Sequence, residues 1–272
     1  MKRILIHHNR KKDTMRVKKK LMQLLQDKGY ILSRQNPDLI IVIGGDGTML
    51  SAIRKFRLKK TPFLGINTGT LGFLPSVPSS QPELVLEILE SGDYFIQSYP
   101  LLKVFAKTVN GDQISSYAFN EILIKHLEPR LMEAKIHING KPFNYFTGDG
   151  FIVSTPIGAT GYAIWAGGVA THSDLPVYQL TPLNPNDNSI NRPLKASMVV
   201  PLDTKLQFAI VKADRREVIV ACDGMKVSND YISELHVEAS DKEVHILRWG
   251  DFDYFELYRT KIIDKNVNRV IF

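Results

Sequence analysis

The chain has 272 residues, of which 44% are hydrophobic and 23% charged, and its formal net charge is +7. That length asks for one large or two modest cores, and the composition excludes disordered and fibrous classes. No apolar run approaches the roughly 20 residues of a membrane span, and the opening Met-Lys-Arg-Ile-Leu-Ile-His is too short and strand-like for a signal peptide. Cys222 is the single cysteine, so no internal disulfide exists. Within the apolar run 218–222 it reads as core filler rather than as a nucleophile, and a cytoplasmic protein is expected. Much of the basic excess lies in Arg10, Lys11, Lys12, Arg16, Lys18, Lys19 and Lys20. Without interleaved aromatics or a recognisable motif, it reads as a solvated helix face, with no nucleic-acid or membrane partner.

The first third alternates between two periods. Arg3–His7 reads as a strand, and Thr14–Lys28 as an amphipathic helix closed by Gly29. The β-branched run Leu39–Ile43 reads as a buried strand, followed by a helix over Met49–Phe56 and a strand over Pro62–Ile66. A further helix over Pro82–Glu90 ends at Ser91-Gly92. Such alternation predicts a doubly wound parallel sheet whose ligands bind at the carboxyl ends of its strands.

From about Ser98 short strands take over: Leu101–Val109, Gln113–Lys125, Glu133–Asn139, Gly150–Ser154, Lys205–Val211, Glu217–Cys222 and Lys242–Leu247. Asn139-Gly140 and Asp223-Gly224 are hairpin-turn signals. Residues 176–196, rich in Pro and Asn, read as a long ordered loop. The expected organisation is an α/β domain over 1–98, joined by the tail 250–272, and a β-rich domain over 99–249.

Four segments carry chemistry. In Gly44-Gly45-Asp46-Gly47-Thr48, glycines at a strand end open backbone N–H groups to a polyanion, and Thr48 is a plausible N-cap for the helix that follows. Asp46 has the wrong charge for phosphate, so it either takes a proton from a hydroxyl or handles a metal. The second segment, Asn67-Thr68-Gly69-Thr70-Leu71-Gly72-Phe73, offers backbone and hydroxyl donors at another strand end, or forms a structural loop plugged by Leu71 and Phe73. In the third, Asn120-Glu121 interrupts the apolar strand 117–124, where polar side chains must be hydrogen-bonded. Asn120 can read an adenine edge and Glu121 can accept from an amine or a ribose hydroxyl; a satisfied structural pair is the alternative. The fourth runs from Gly148 to Tyr162: Asp149 suits a ribose diol, and Thr160 and Tyr162 suit the framing of a base.

In this order the four segments closely resemble the NAD kinase family, which transfers a phosphate to the adenosine 2′-hydroxyl of NAD. The match runs from about Ile4 to Asp223. The resemblance implies a Rossmann-like N-terminal domain with a C-terminal β-sandwich domain, and NAD bound between them. It implies Asp46 as catalytic proton acceptor and Gly44, Gly45, Gly47 and Thr48 as phosphate contacts. It places Asp46, Gly47, Asn120, Glu121, Asp149, Thr160, Gly161, Tyr162 and Trp165 on NAD, and Asn184 as a further dinucleotide contact. ATP, with polyphosphate as the other candidate donor, a divalent cation such as Mg2+, and a homo-oligomer (dimer or tetramer) are implied likewise. Where the family usually reads Ser-Thr-Pro-x-Gly-Ser-Thr-Ala-Tyr, this chain has Ala159 and Gly161 in place of Ser and Ala, with Trp165 where a serine is common and Thr147 where a basic residue often stands. These departures bear on the fit of the adenine rather than on the reaction.

A lipid or sugar kinase could share the glycine turn, but it would ask for a greasy or sugar-binding second half rather than Asn120, Glu121 and Asp149. A dinucleotide sensor without turnover would bind NAD and form no NADP.

Overall fold

The structure, a computed structural model, describes residues 1–57, 60–69, 72–74, 76–187, 192–250 and 252–264. The chain forms two compact units, Met1–Tyr99 with Lys242–Phe272, and Pro100–Asp241.

The first unit holds strands β1 (Arg3–His8), β2 (Ile31–Leu32), β3 (Leu39–Gly44), β4 (Phe63–Asn67) and β5 (Val77–Pro78). They pair in parallel in the order β2-β1-β3-β4-β5. Helices α1 (Lys12–Asp27), α2 (Asp46–Phe56) and α3 (Leu84–Ser91) connect them. All six residues of β3 are buried, as expected for a strand covered on both faces. Leu39, Ile41 and Ile43 join Leu21 and Leu25 of α1 and Val85 and Ile88 of α3 in one apolar cluster. Met49, Ala52 and Ile53 of α2 are buried outside it. The chain is thus wound on both sides of the sheet. After the second unit it returns, with Ile246 pairing in parallel beside Phe63, and ends in α5 (Tyr254–Tyr258) and a wider turn over Arg259–Ile263. The Asp253 carboxylate caps α5, accepting N–H bonds from Phe255 and Glu256.

The second unit is all β apart from short turns. The strand β6 (Tyr94–Thr108) enters it, followed by β7 (Gln113–Ala118), β8 (Glu121–His126), β9 (Met132–Ile138), β10 (Lys141–Gly148) and β11 (Gly150–Ser154). Then come α4 (Tyr162–Trp165), β12 (Val177–Leu183), β13 (Met198–Pro201), β14 (Leu206–Ile210), β15 (Val218–Cys222), β16 (Met225–Asp230) and β17 (Ile232–Trp249). One antiparallel sheet runs β13-β12-β11-β8-β15-β16, and β10-β9-β14-β17 belongs to another. Their inner faces share a core: Phe151 stacks 4.1 Å from Phe146 and 5.0 Å from Phe208, measured between ring centroids. This is a β-sandwich.

Asn139-Gly140 and Asp223-Gly224 turn their hairpins with both residues in the left-handed region, the conformation a tight two-residue turn requires. Three expectations fail. The helix after the glycine turn starts at Asp46, three residues before Met49. The strand expected over Gln113–Lys125 is two strands, broken at Phe119-Asn120. The loop expected over 176–196 contains β12, an interior strand of its sheet. There Val177, Tyr178, Leu180 and Leu183 outweigh a Pro/Asn-rich surrounding composition.

Candidate functional site

In the first unit the site is built on the end of β3. Gly44 is extended backbone, and a methyl on its Cα would stand 2.2 Å from Thr48 Oγ1. Only glycine lets the first turn of α2 fold back this closely. Gly45, not Thr48, occupies the N-cap position, and no side chain caps the helix. Thr48 lies inside the first turn, where its Oγ1 accepts a bond from Asn9 Nδ2 at 3.2 Å. The expected N-cap role of Thr48 is therefore corrected, because the helix begins two residues before it. Gly47 is exposed, with open space where a Cβ would be.

Asp46, the first residue of α2, is held by both carboxylate oxygens. The Phe73 N–H donates to Oδ2 at 3.0 Å and the Leu74 N–H to Oδ1 at 3.1 Å. Burial raises its pKa above the ordinary carboxylate value, opposed by those two bonds and by the charges of Lys261 and Arg248. A half-buried carboxylate with a raised pKa is a stronger base than a solvated one. The loop supplying the N–H groups is anchored by an Asx turn, in which Asn67 Oδ1 accepts from the Gly69 N–H at 2.9 Å. Thr70 and Leu71 lie outside the described residues. On the Phe73 side of the loop a cavity of about 630 Å³ is walled by Phe73, Ser76, Trp249, Phe252, Leu257 and Lys261, among others. That volume falls within the usual range of small-molecule sites.

In the second unit the break between β7 and β8 is gripped by Asp223. Its carboxylate accepts the N–H groups of Phe119, Asn120 and Glu121 at 2.9, 2.7 and 3.3 Å. The Asp223 N–H donates back to the Glu121 carbonyl at 3.0 Å. Across from it, Thr155 Oγ1 donates to the Phe119 carbonyl at 2.7 Å and accepts from the Gly158 N–H at 3.1 Å. A methyl on Gly158 would stand 2.1 Å from the Asn120 carbonyl oxygen, so the Ser-Thr-Pro-x-Gly turn can pack here only with glycine. Gly161 lies over the same pair: its added methyl would be 3.3 Å from Glu121 Oε2.

This scaffold fixes the backbone of Asn120-Glu121 and leaves one acceptor on each side chain unsatisfied. Asn120 Oδ1 and Glu121 Oε2 are both buried without a hydrogen-bond partner. Burial, aided by the Asp223 charge, raises the Glu121 pKa to about 7. Most buried polar atoms in folded proteins are paired, so two adjacent orphan acceptors mark a place for donors from a ligand. Nearby in sequence, Thr160 spends its hydroxyl on the Ile157 carbonyl at 3.0 Å. Tyr162 and Trp165 are 48% and 66% exposed on α4. The structure joins Asp149 to Asn184, whose Nδ2 donates to Asp149 Oδ2 at 2.7 Å, with Asn184 in the left-handed region. Among the described residues no group of three or more His, Cys, Asp and Glu side chains is placed to hold a metal ion.

The sequence reading missed Arg248, Lys261 and the grip of Asp223 on residues 119–121. A cation directly after Ile246-Leu247 was the one available sign of Arg248. Asp223 was visible only as half of a hairpin turn.

The profile of the ATP-NAD kinase N-terminal domain matches residues 31–94, and that of the C-terminal domain residues 119–249. The NAD kinase of Streptococcus mutans is 34% identical over 269 residues, covering 92% of this chain and 96% of the relative. That of Leuconostoc mesenteroides is 29% identical, covering 97% and 99%. Among solved structures, an NAD kinase from Archaeoglobus fulgidus in complex with ATP superposes with a TM-score of 0.73 at 25% identity, covering 95% of this chain and 96% of the other. Yeast NADH kinase complexed with NADH gives 0.83 at 20% identity, covering 98% and 89%; at that identity the likeness speaks to the fold.

Proposed function

The chain belongs to the NAD kinase family, and from that premise we propose that it transfers the terminal phosphoryl group of ATP to the 2′-hydroxyl of the adenosine ribose of NAD, giving NADP. The observation that carries the reading is the pair of buried, unpartnered acceptors on Asn120 and Glu121. A glycine turn beside a carboxylate serves many kinases, whereas two fixed acceptors ask for the amine and hydroxyl donors of a nucleoside. Asn120 reads the adenine edge and Glu121 a ribose hydroxyl or amine. Asp149, oriented by Asn184, takes the diol of a ribose, and Thr160, Gly161, Tyr162 and Trp165 line the base, the two exposed rings by stacking.

At the other half of the chemistry, Asp46 takes the proton of the attacking hydroxyl. Its two backbone bonds orient the carboxylate, and the burial that raises its pKa strengthens it as a base. Gly45 and Gly47 at the start of α2 offer a helix N-terminus to phosphate, and Gly44 and Thr48 hold that turn by packing against each other. Magnesium would be held chiefly by the phosphates of ATP, where it would offset the charge of the group in transfer. The same reading makes the protein a cytoplasmic homo-oligomer, dimer or tetramer, and admits polyphosphate as a donor to be tested beside ATP.

The test is direct. Purified protein with NAD or NADH, ATP or polyphosphate, and magnesium should yield NADP or NADPH. Asp46→Asn should bind NAD and turn over about 100-fold or more slowly. Full turnover by Asp46→Asn would remove Asp46 from the mechanism, and NAD binding without any NADP would make the wild type a sensor.

A further inference from the structure

Arg248 closes β17 and is 1% exposed, the bulkiest of the fully buried side chains among the described residues. A buried guanidinium is unfavourable unless its donors are paired. Nε donates to Gln97 Oε1 at 3.3 Å and Nη2 to the Tyr99 hydroxyl at 3.3 Å. Nη1 donates to the Leu74 carbonyl at 3.1 Å and to Ser76 Oγ at 3.3 Å. The group also lies 4.3 Å from the centre of the Phe252 ring. It belongs to the wall of the 630 Å³ cavity, yet its donors are turned to protein acceptors, which among the described residues are neutral.

Two of those acceptors lie on the loop that holds Asp46. Leu74 receives Arg248 on its carbonyl and gives its N–H to Asp46 Oδ1 at 3.1 Å, while the adjacent Phe73 N–H goes to Oδ2. We propose that Arg248 is a positioning residue for phosphoryl transfer: through Leu74 and Ser76 it fixes the two N–H groups that aim the Asp46 carboxylate. This rests on Asp46 being the proton acceptor. A buried guanidinium fork suits the task because its planar donors hold two points of the loop at once. Its charge also favours the ionised form of Asp46 against the effect of burial.

The experiment compares kcat, KM for NAD and ATP, and NAD affinity without ATP, for wild type, Arg248→Lys, Ser76→Ala, Asp46→Asn and the double variant Asp46→Asn/Arg248→Lys. Small misplacements of a catalytic group cost on the order of 10–100-fold in rate. Arg248→Lys should therefore lower kcat by about that factor, with KM and affinity for NAD within about twofold. Ser76→Ala, which removes one anchor and leaves the cation in place, should lower kcat in the same direction by less. In the Asp46→Asn background Arg248→Lys should have no further effect on kcat, as for residues acting as a unit. A wild-type kcat in Arg248→Lys, or an undiminished effect of it in the Asp46→Asn background, overturns the proposal. If Asp46→Asn alone turns over at the wild-type rate, the reading of Asp46 is what has failed, and the single variant shows that separately.

Discussion

Replacing Glu121 by Gln should stabilise the ligand-free protein above neutral pH and weaken its hold on NAD. The Glu121 carboxyl is raised from its ordinary 4.5 to about 7, chiefly by burial and then by the Asp223 charge. Each pH unit of such a displacement corresponds to about 1.4 kcal/mol, so ionised Glu121 disfavours the folded state by about 3 kcal/mol. Below pH 4.5 the group is protonated folded or unfolded and has no effect. As pH rises from 4.5 through 7 the unfolded chain loses its proton first, and the wild type loses stability relative to Glu121→Gln. In thermal unfolding the variant should gain roughly 6–12 °C on the wild type between pH 4.5 and 8. NAD reverses the preference, because its donors favour the ionised carboxylate. Wild-type affinity should therefore rise with pH between about 5 and 8, with proton release on binding, measured by calorimetry in buffers of different ionisation enthalpy. The Gln variant should bind more weakly and release no proton. Unfolding temperatures that run parallel with pH in the two proteins would refute the account of Glu121 as a strained acceptor waiting for a ligand.

Asp223→Ala leaves three consecutive N–H groups without their carboxylate, so it should destabilise by about 3 kcal/mol or more in denaturant unfolding; a loss below about 1 kcal/mol would show that water replaces the grip. Gly44→Ala drives a methyl into Thr48, and overpacking of this kind should cost about 1–3 kcal/mol and reduce kcat by moving the start of α2. Asn184→Ala removes the 2.7 Å bond to Asp149; the KM for NAD should rise about 3–10-fold with kcat little changed, from one lost orienting hydrogen bond of about 1 kcal/mol. Equal losses in kcat and kcat/KM would contradict a binding role.

The parts of this protein that could be read from sequence are those where one local physical demand decides the residue. The run Leu39–Ile43 could only be a strand buried on both faces, and Asn139-Gly140 could only be a tight turn. Asp46, Asn120, Glu121 and Asp149 stood out because charge or polarity beside glycine, or inside an apolar strand, has few structural uses. What escaped depends on partners far along the chain. The break at Phe119-Asn120 is invisible in a run that alternates well enough to be one strand, since it exists because Asp223, about 100 residues on, takes three N–H groups. β12 was hidden by composition: Pro182 argues against an interior strand, yet it lies beyond Val177–Leu180, the stretch that pairs with β13, and so stands where β12 has a single neighbour. The start of α2 was misplaced because a threonine after glycines looks like a cap, whereas Gly44 is there to admit the Thr48 side chain. Arg248 shows the same limit from the side of function. One cation at the end of a strand is unremarkable until Leu74 and Ser76, more than 170 residues earlier, are found on its donors. Local rules thus single out the candidate groups, and the groups that hold them in place emerge only when the chain has closed on itself.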